Sequence, residues 1–243
     1  MDPRFEREAL LIGEDSVKIL NESRVALFGV GGVGSYAAEA LARCGVGSMV
    51  LVDNDCVSES NINRQLCALT STVGRPKAEV VAERLADINP EIKIEIRQEF
   101  FLPESSSSFD FDSYDYVIDA IDTVAGKLEI ARLCAFHGVP MISCMGTGNK
   151  LDPTALTVTD ISKTNTCPLA RVMRRELKRL GINHLKVVYS EETPVKPQAA
   201  SEDGRRSVPS SIAFVPSVAG LIAAGEAVKD IIASKKAKET ENG

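Results

Sequence analysis

A glycine-rich turn, Gly29-Val30-Gly31-Gly32-Val33-Gly34-Ser35, stands directly behind a short apolar run, Val25-Ala26-Leu27-Phe28, and ahead of an alanine-rich stretch. Glycines at these intervals let a strand turn sharply, let backbone N–H groups approach phosphate and let the next helix pack closely on the strand. The chain is thereby committed to a strand, a phosphate-binding turn and a helix, the opening unit of a doubly wound sheet.

Strand and helix signals go on alternating after that unit. A helix is expected over 35–44, a strand over 48–52, a helix over 77–88 halted by Asn89-Pro90, and strands over 92–97 and 114–118. A helix over 126–137 and a strand over 140–145 complete the pattern. The fold class expected is α/β, a Rossmann-like, doubly wound and mainly parallel sheet. After Gly146 the rhythm changes to a strand at 154–160, a basic helix at 168–180 opened by Pro168, and a strand at 185–189, which together read as a C-terminal α+β extension. Residues 193–209, with three prolines and five charges, read as a surface loop. Residues 211–228 carry Glu226 as their only ionised group, and their marginal length favours a buried helix over a membrane span.

Composition sets limits on function. A length of 243 residues suits one large domain or a core with a modest extension, and 44% hydrophobic residues are ample for its interior. The net charge of -6 gives no global basic field, so a nucleic acid would have to meet a local patch. Arg171, Arg174, Arg175, Lys178 and Arg179, at helical spacing, offer one such patch for RNA phosphates or simply a solvated helix face. Six cysteines without a C-x-x-C pair, and no charged-then-apolar leader, point to a reducing cytoplasm without disulfides or structural zinc. Core packing is expected for Cys44, Cys56, Cys67, Cys134 and Cys144, and a structural role for Cys167. His137 and His184 have no evident partner.

The chemistry turns on what accompanies the glycines. Gly29, Gly31 and Gly34 satisfy G-x-G-x-x-G, and Asp53 follows about twenty residues later, where a carboxylate holds ribose hydroxyls. Taken alone these residues fit an NAD-dependent oxidoreductase. Arg64 and Lys77 alter the balance, because hydride transfer has no use for cations aimed at a triphosphate. An adenylating enzyme must bind three phosphates, neutralise departing pyrophosphate and place Mg²⁺ on phosphate oxygens, and Arg64, Lys77 and Asp122 are the right residue types. Asp119 and Asp122 fall at the C-terminal end of a strand, where ligands of open parallel sheets gather. Each has a plainer reading as well: solvated charges for Arg64 and Lys77, a loop cap for Asp119, turn or cap residues for Asn61 and Asn63.

These residues resemble the ThiF, MoeB and HesA group, related to the adenylation domain of ubiquitin-activating enzymes. The matching stretches are the turn from Gly29 to Ser35, Asp53-x-Asp55, Ser60-x-x-Asn63-Arg64-Gln65, Gly74-x-x-Lys77 and Asp119-x-x-Asp122, with an R-x-x-R opening at Arg4 and Arg7. The resemblance implies an ATP site in which Gly31 and Gly32 admit the phosphates, Asp53 binds ribose, and Asn61, Arg64 and Lys77 contact phosphate. Asp122 is implied to position Mg²⁺ or the attacked phosphate. Gly29, Gly34, Asp55, Ser60, Asn63, Gln65 and Asp119 complete the expected nucleotide-binding set. Arg7 is implied to reach into a partner subunit's ATP site, and hence a homodimer is expected, with sulfur-relay proteins as accessory partners.

The second half is similar to the branch of that group that acts on threonylcarbamoyladenosine in tRNA. The likeness lies in Gly148-Asn149-Lys150-Leu151-Asp152-Pro153-Thr154, Asp160-Ile161-x-Lys163-Thr164 and Pro168-Leu169-Ala170-Arg171. It implies adenylation of the threonyl carboxylate followed by cyclisation and loss of AMP. A sulfur-carrier activator shares the ATP site, but this chain has neither the paired C-x-x-C motifs of many such activators nor any cysteine after Cys167. Three segments are expected: an ATP-binding core over 1–146, a substrate-facing extension packed on the same sheet over 147–233, and a charged, disordered tail over 234–243.

Overall fold

In the computed structural model, which describes residues 2–195 and 210–242, the apolar run forms β1 (Arg24–Phe28) at the inside of a seven-stranded sheet. Strands β2 (Ser48–Val52) and β4 (Tyr116–Asp119) flank it in parallel. Outside β2 lies β3 (Lys93–Arg97), and outside β4 lie β5 (Met141–Cys144), β7 (Lys186–Ser190) and β6 (Leu156–Asp160). The order is β3-β2-β1-β4-β5-β7-β6. Only β6, antiparallel to β7 from Leu156↔Ser190 to Asp160↔Lys186, departs from the parallel direction.

The period-2 geometry of a strand explains why β1 is apolar throughout. Val25 and Leu27 face one core, shared with α3 (Gly34–Arg43) and α7 (Phe214–Asn242), while Ala26 and Phe28 face another beside α5 (Val124–His137). Phe28 meets Phe101 edge-on at a centroid distance of 4.7 Å and Phe109 at 5.6 Å. Burying such a side chain contributes roughly 1.5–3 kcal/mol. A third cluster joins Ala170, Met173 and Leu177 of α6 (Pro168–Arg179) to Val187 and Tyr189 of β7. This is the α/β doubly wound architecture expected from the sequence.

Strands β1 and β2 and helix α4 (Lys77–Ile88) occupy the residues expected for them. Two helices, α1 (Glu6–Ile12) and α2 (Glu14–Asn21), precede β1 and fall outside the alternation read from the sequence. The stretch 211–228 lies mostly in α7, where Ala219, Ala223, Ala224 and Ala227 are all buried. Among the described residues no helix is long and apolar enough to cross a membrane.

Two expectations need correction. The charged tail is not irregular: α7 continues to Asn242. Extending a helix adds a bond per residue without a new nucleus, lysine, alanine and glutamate favour it, and Lys235 pairs with Asp115 at 2.6 Å. Cys56 is exposed rather than packed, because a lone bridge to Pro76 holds it in the loop after β2. The loop expected over 193–209 lies, from residue 196 onward, outside the described residues.

Candidate active site

A cleft of about 450 Å³ opens where β1, β2 and β4 end, as the crevice rule for parallel sheets requires. The turn after β1 forms its floor. Gly29 has φ +87°, and a Cβ there would lie 2.8 Å from the Ala120 carbonyl oxygen, so only glycine fits. Gly31 and Gly32 line the cleft, with α3 starting just beyond. Gly34 does not line it: a Cβ on Gly34 would stand 1.8 Å from the Gly29 carbonyl oxygen, so this glycine serves the close packing of α3 on the turn.

The end of β2 supplies the next wall. Asp53 accepts the Val30 N–H at 2.8 Å on one oxygen and the Asp55 N–H at 2.9 Å on the other. Burial pushes its carboxyl above the usual aspartate range, against the lowering pull of those two N–H groups. Lys77 opens α4 and is itself buried, yet its Nζ reaches Asp55 Oδ2 at 2.7 Å on the cleft. Arg64 is steadied by the Ser60 carbonyl at 2.8 Å and Asn63 Oδ1 at 2.9 Å, both accepting from Nη1. Asn61 and Gln65, both buried, complete this side.

Asp122 is exposed on the opposite wall. Asp119, expected beside it, is fully buried and held by Lys127, so it has no surface to offer a ligand. Ser60 and Asn63 also stay out of the lining. The Ser60 hydroxyl pairs with Ser58, and Asn63 Nδ2 donates to the Ser211 carbonyl at 2.9 Å. Arg7 is exposed on α1 and does not reach the cleft of its own chain.

Other cleft residues carry no motif: Phe100, Phe101 and Ile121 give an apolar wall, and Thr147, Ser211 and Pro216 come from the second half. Lys127 had one usable signal, an isolated cation in the first turn of a small-residue helix just past a strand-ending aspartate. The basic run on α6 is partly committed. Arg174 donates to the Thr164 carbonyl and hydroxyl, both at 2.6 Å, and Arg175 and Arg179 pair with Glu176. His137 and His184 do have partners, Asp112 at 2.7 Å and Asp160 at 3.3 Å, outside the cleft.

The glycine turn, Asp53, Arg64 and Lys77 line one cleft, the nucleotide site of an adenylating enzyme, and residues 5–242 match the ThiF family, to which the chain belongs. Among individual proteins, it is 44% identical to the tRNA threonylcarbamoyladenosine dehydratase of Bacillus subtilis (strain 168), with 98% of each chain covered. Identity to the dehydratase of that name from Escherichia coli (strain K12) is 36%, over 95% of this chain and 94% of the other. The crystal structure of the E. coli enzyme in complex with ATP matches with a TM-score of 0.88 and 36% identity, over 96% of this chain and 95% of that one.

Proposed function

We propose that the chain is an ATP-dependent enzyme that adenylates the carboxylate of threonylcarbamoyladenosine in tRNA and closes it into a cyclic product with net loss of water. The observation that carries this reading is the meeting of Arg64 and Lys77 with the glycine turn and Asp53 on one cleft. Expulsion of pyrophosphate calls for such cations and hydride transfer does not. The near-full-length likeness to two dehydratases supports the tRNA substrate.

A carboxylate is a poor electrophile until one of its oxygens is tied to a good leaving group. Its oxygen attacks the α-phosphorus of ATP, pyrophosphate departs, and a mixed anhydride with AMP results. Backbone N–H groups at the start of α3 cradle phosphate. Arg64 and Lys77 neutralise the charge that builds on the departing pyrophosphate, Lys77 swinging part of its contact away from Asp55. Asp53 accepts from the ribose hydroxyls. The carbamoyl group then attacks the activated carbonyl, the bond to AMP breaks, and the carbamoyl group gives up a proton. The carboxylate oxygen leaves with AMP, so the nucleoside is lighter by one water. Both groups belong to one nucleoside, and their proximity removes the entropy cost of a second encounter.

Among the described residues no group of three or more His, Cys, Asp or Glu side chains is arranged to hold a metal. The exposed carboxylate of Asp122 on the cleft suits Mg²⁺, which commonly rests on one or two carboxylates with substrate phosphates. Asp122 would hold it, and the ion would supply charge neutralisation at the phosphate oxygens. A homodimer, with Arg7 of each copy reaching the other's cleft, agrees with the exposure of Leu10 (89%) and Leu11 (85%) on the same helix. The free thiols suit a reducing cytoplasm.

The test is incubation with ATP and either tRNA bearing threonylcarbamoyladenosine or a carrier protein ending in Gly-Gly. AMP release that requires the tRNA, with loss of one water mass from the nucleoside, is expected. AMP formation only with the carrier, or NADH binding without ATP affinity, sinks the proposal.

A further inference from the structure

Beneath the cleft a single ammonium joins the two strands whose ends carry its far wall. Lys127, in the first turn of α5, is completely buried. Its Nζ donates to both Asp119 carboxylate oxygens at 3.0 Å, to Ser143 Oγ at 3.2 Å and to the Cys144 carbonyl at 2.8 Å. Asp119 ends β4, while Ser143 and Cys144 end β5. The cluster closes on itself, since the Ser143 hydroxyl donates to Asp119 Oδ2 at 2.5 Å.

From this cluster the chain runs straight into the cleft. The Ile121 N–H donates to Asp119 Oδ1 at 3.3 Å, and Ile121 and Asp122 both line the cleft. On the other strand, Thr147 lines it just after Cys144. Gly126 shows how closely α5 is pressed to the apolar wall of the cleft: a Cβ there would lie 2.6 Å from Ile121 Cδ1 and 2.9 Å from the Phe101 carbonyl oxygen.

A sealed ion pair is an ineffective way to stabilise a fold, because desolvating both charges offsets their attraction and apolar replacements of like volume are often as stable. What it supplies is direction. Three N–H vectors shared among four oxygens fix the end of β4 against the end of β5, and a 1 Å displacement of a reacting group is enough to slow catalysis strongly. We propose that Lys127 and Asp119 are positioning residues for the adenylation step, setting Asp122 in place without touching the nucleotide. The inference rests on the ATP reading of the cleft and on the role given to Asp122.

The test is a double-mutant cycle between the paired replacement Lys127→Met with Asp119→Asn, which removes both charges at similar volume, and Asp122→Asn. Single-turnover AMP formation with modified tRNA, ATP affinity and urea unfolding are measured on each variant. The paired replacement is expected to fold, to bind ATP within about threefold of the original, and to form AMP at least about tenfold more slowly. That loss should vanish when Asp122 is already asparagine. Wild-type turnover by the folded pair variant, or a loss that multiplies undiminished with that of Asp122→Asn, overturns the inference. An Asp122→Asn protein that turns over normally overturns the role of Asp122 and the inference with it, and is told apart because the single variant alone reveals it. Should the pair variant not fold, Ser143→Ala keeps the ion pair and loosens the cluster. A drop in kcat without change in KM for ATP, absent in the Asp122→Asn background, is then expected, and an unchanged kcat overturns the proposal.

Discussion

Two lysine–aspartate pairs stand at the sheet's C-terminal edge, one past β2 and one at the tip of β4, and they differ in exposure to solvent. Lys77 and Asp55 meet at 2.7 Å with side chains 7% and 59% exposed, whereas Lys127 and Asp119 meet at 3.0 Å with both at 0%. An open pair can trade a carboxylate for a phosphate at little cost, because water takes over the released partner. The sealed pair cannot trade, since any exchange strands a charge in a dry interior. The same two residue types thus leave a carboxylate open to exchange at one strand end and sealed at the other.

The sharpest way to break this contrast is to remove one member of each pair. Lys127→Met alone leaves Asp119 buried and unpaired, and should lower the unfolding free energy in urea by about 3–5 kcal/mol. Lys77→Ala leaves behind a carboxylate that water can solvate, so turnover should fall about 10²–10³-fold while unfolding shifts by no more than about 1 kcal/mol. Equal destabilisation by the two changes would erase the distinction.

Acid provides a gentler probe. Burial raises the Asp53 carboxyl above its ordinary value of 3.8, so on acidification it takes up a proton before an exposed aspartate would. A protonated carboxyl loses acceptor strength toward ribose, and ATP affinity should fall about tenfold as pH drops through that raised value. Asp53→Asn should flatten this acid limb in a binding titration. Stability runs the other way: the contribution of a raised carboxyl is present below pH 3.8 and is lost as pH rises through the folded-state value. The smallest effect expected is that of Asn63→Ala, which removes exposed hydrogen bonds to Ser211 and from Arg64 but leaves Arg64 held by the Ser60 carbonyl, and should change ATP affinity by no more than about threefold in calorimetry.

Strands β1 and β2 were legible because burial on both faces writes a continuous apolar run, and α4 because Asn89-Pro90 stops it. Arg64 and Lys77 stood out in the sequence as two cations near the glycine turn, and the fold sets both on the cleft. The choice between Asp119 and Asp122 was not legible. They sit three residues apart at one strand end with the same chemistry, and Lys127, arriving from α5, decides which is sealed. Asn61 and Asn63 pose the same difficulty, since the short turn Glu59–Asn61 sends the first to the cleft and the second toward Ser211. In both cases local sequence offers two equal candidates, and a contact with another element, Lys127 or Ser211, takes one of them out of the cleft.

The outer strand β3 reads Lys93-Ile94-Glu95-Ile96-Arg97, and its free edge borders no other strand among the described residues. Period-2 geometry puts the three ionised side chains on one face, where Arg97 meets Glu95 and Glu99, and Arg24 reaches Glu95 from β1. A second sheet approaching that edge would have to strip water from this charged lattice before making its first backbone bond. The rim of the sheet is thereby a poor template for strand-to-strand aggregation.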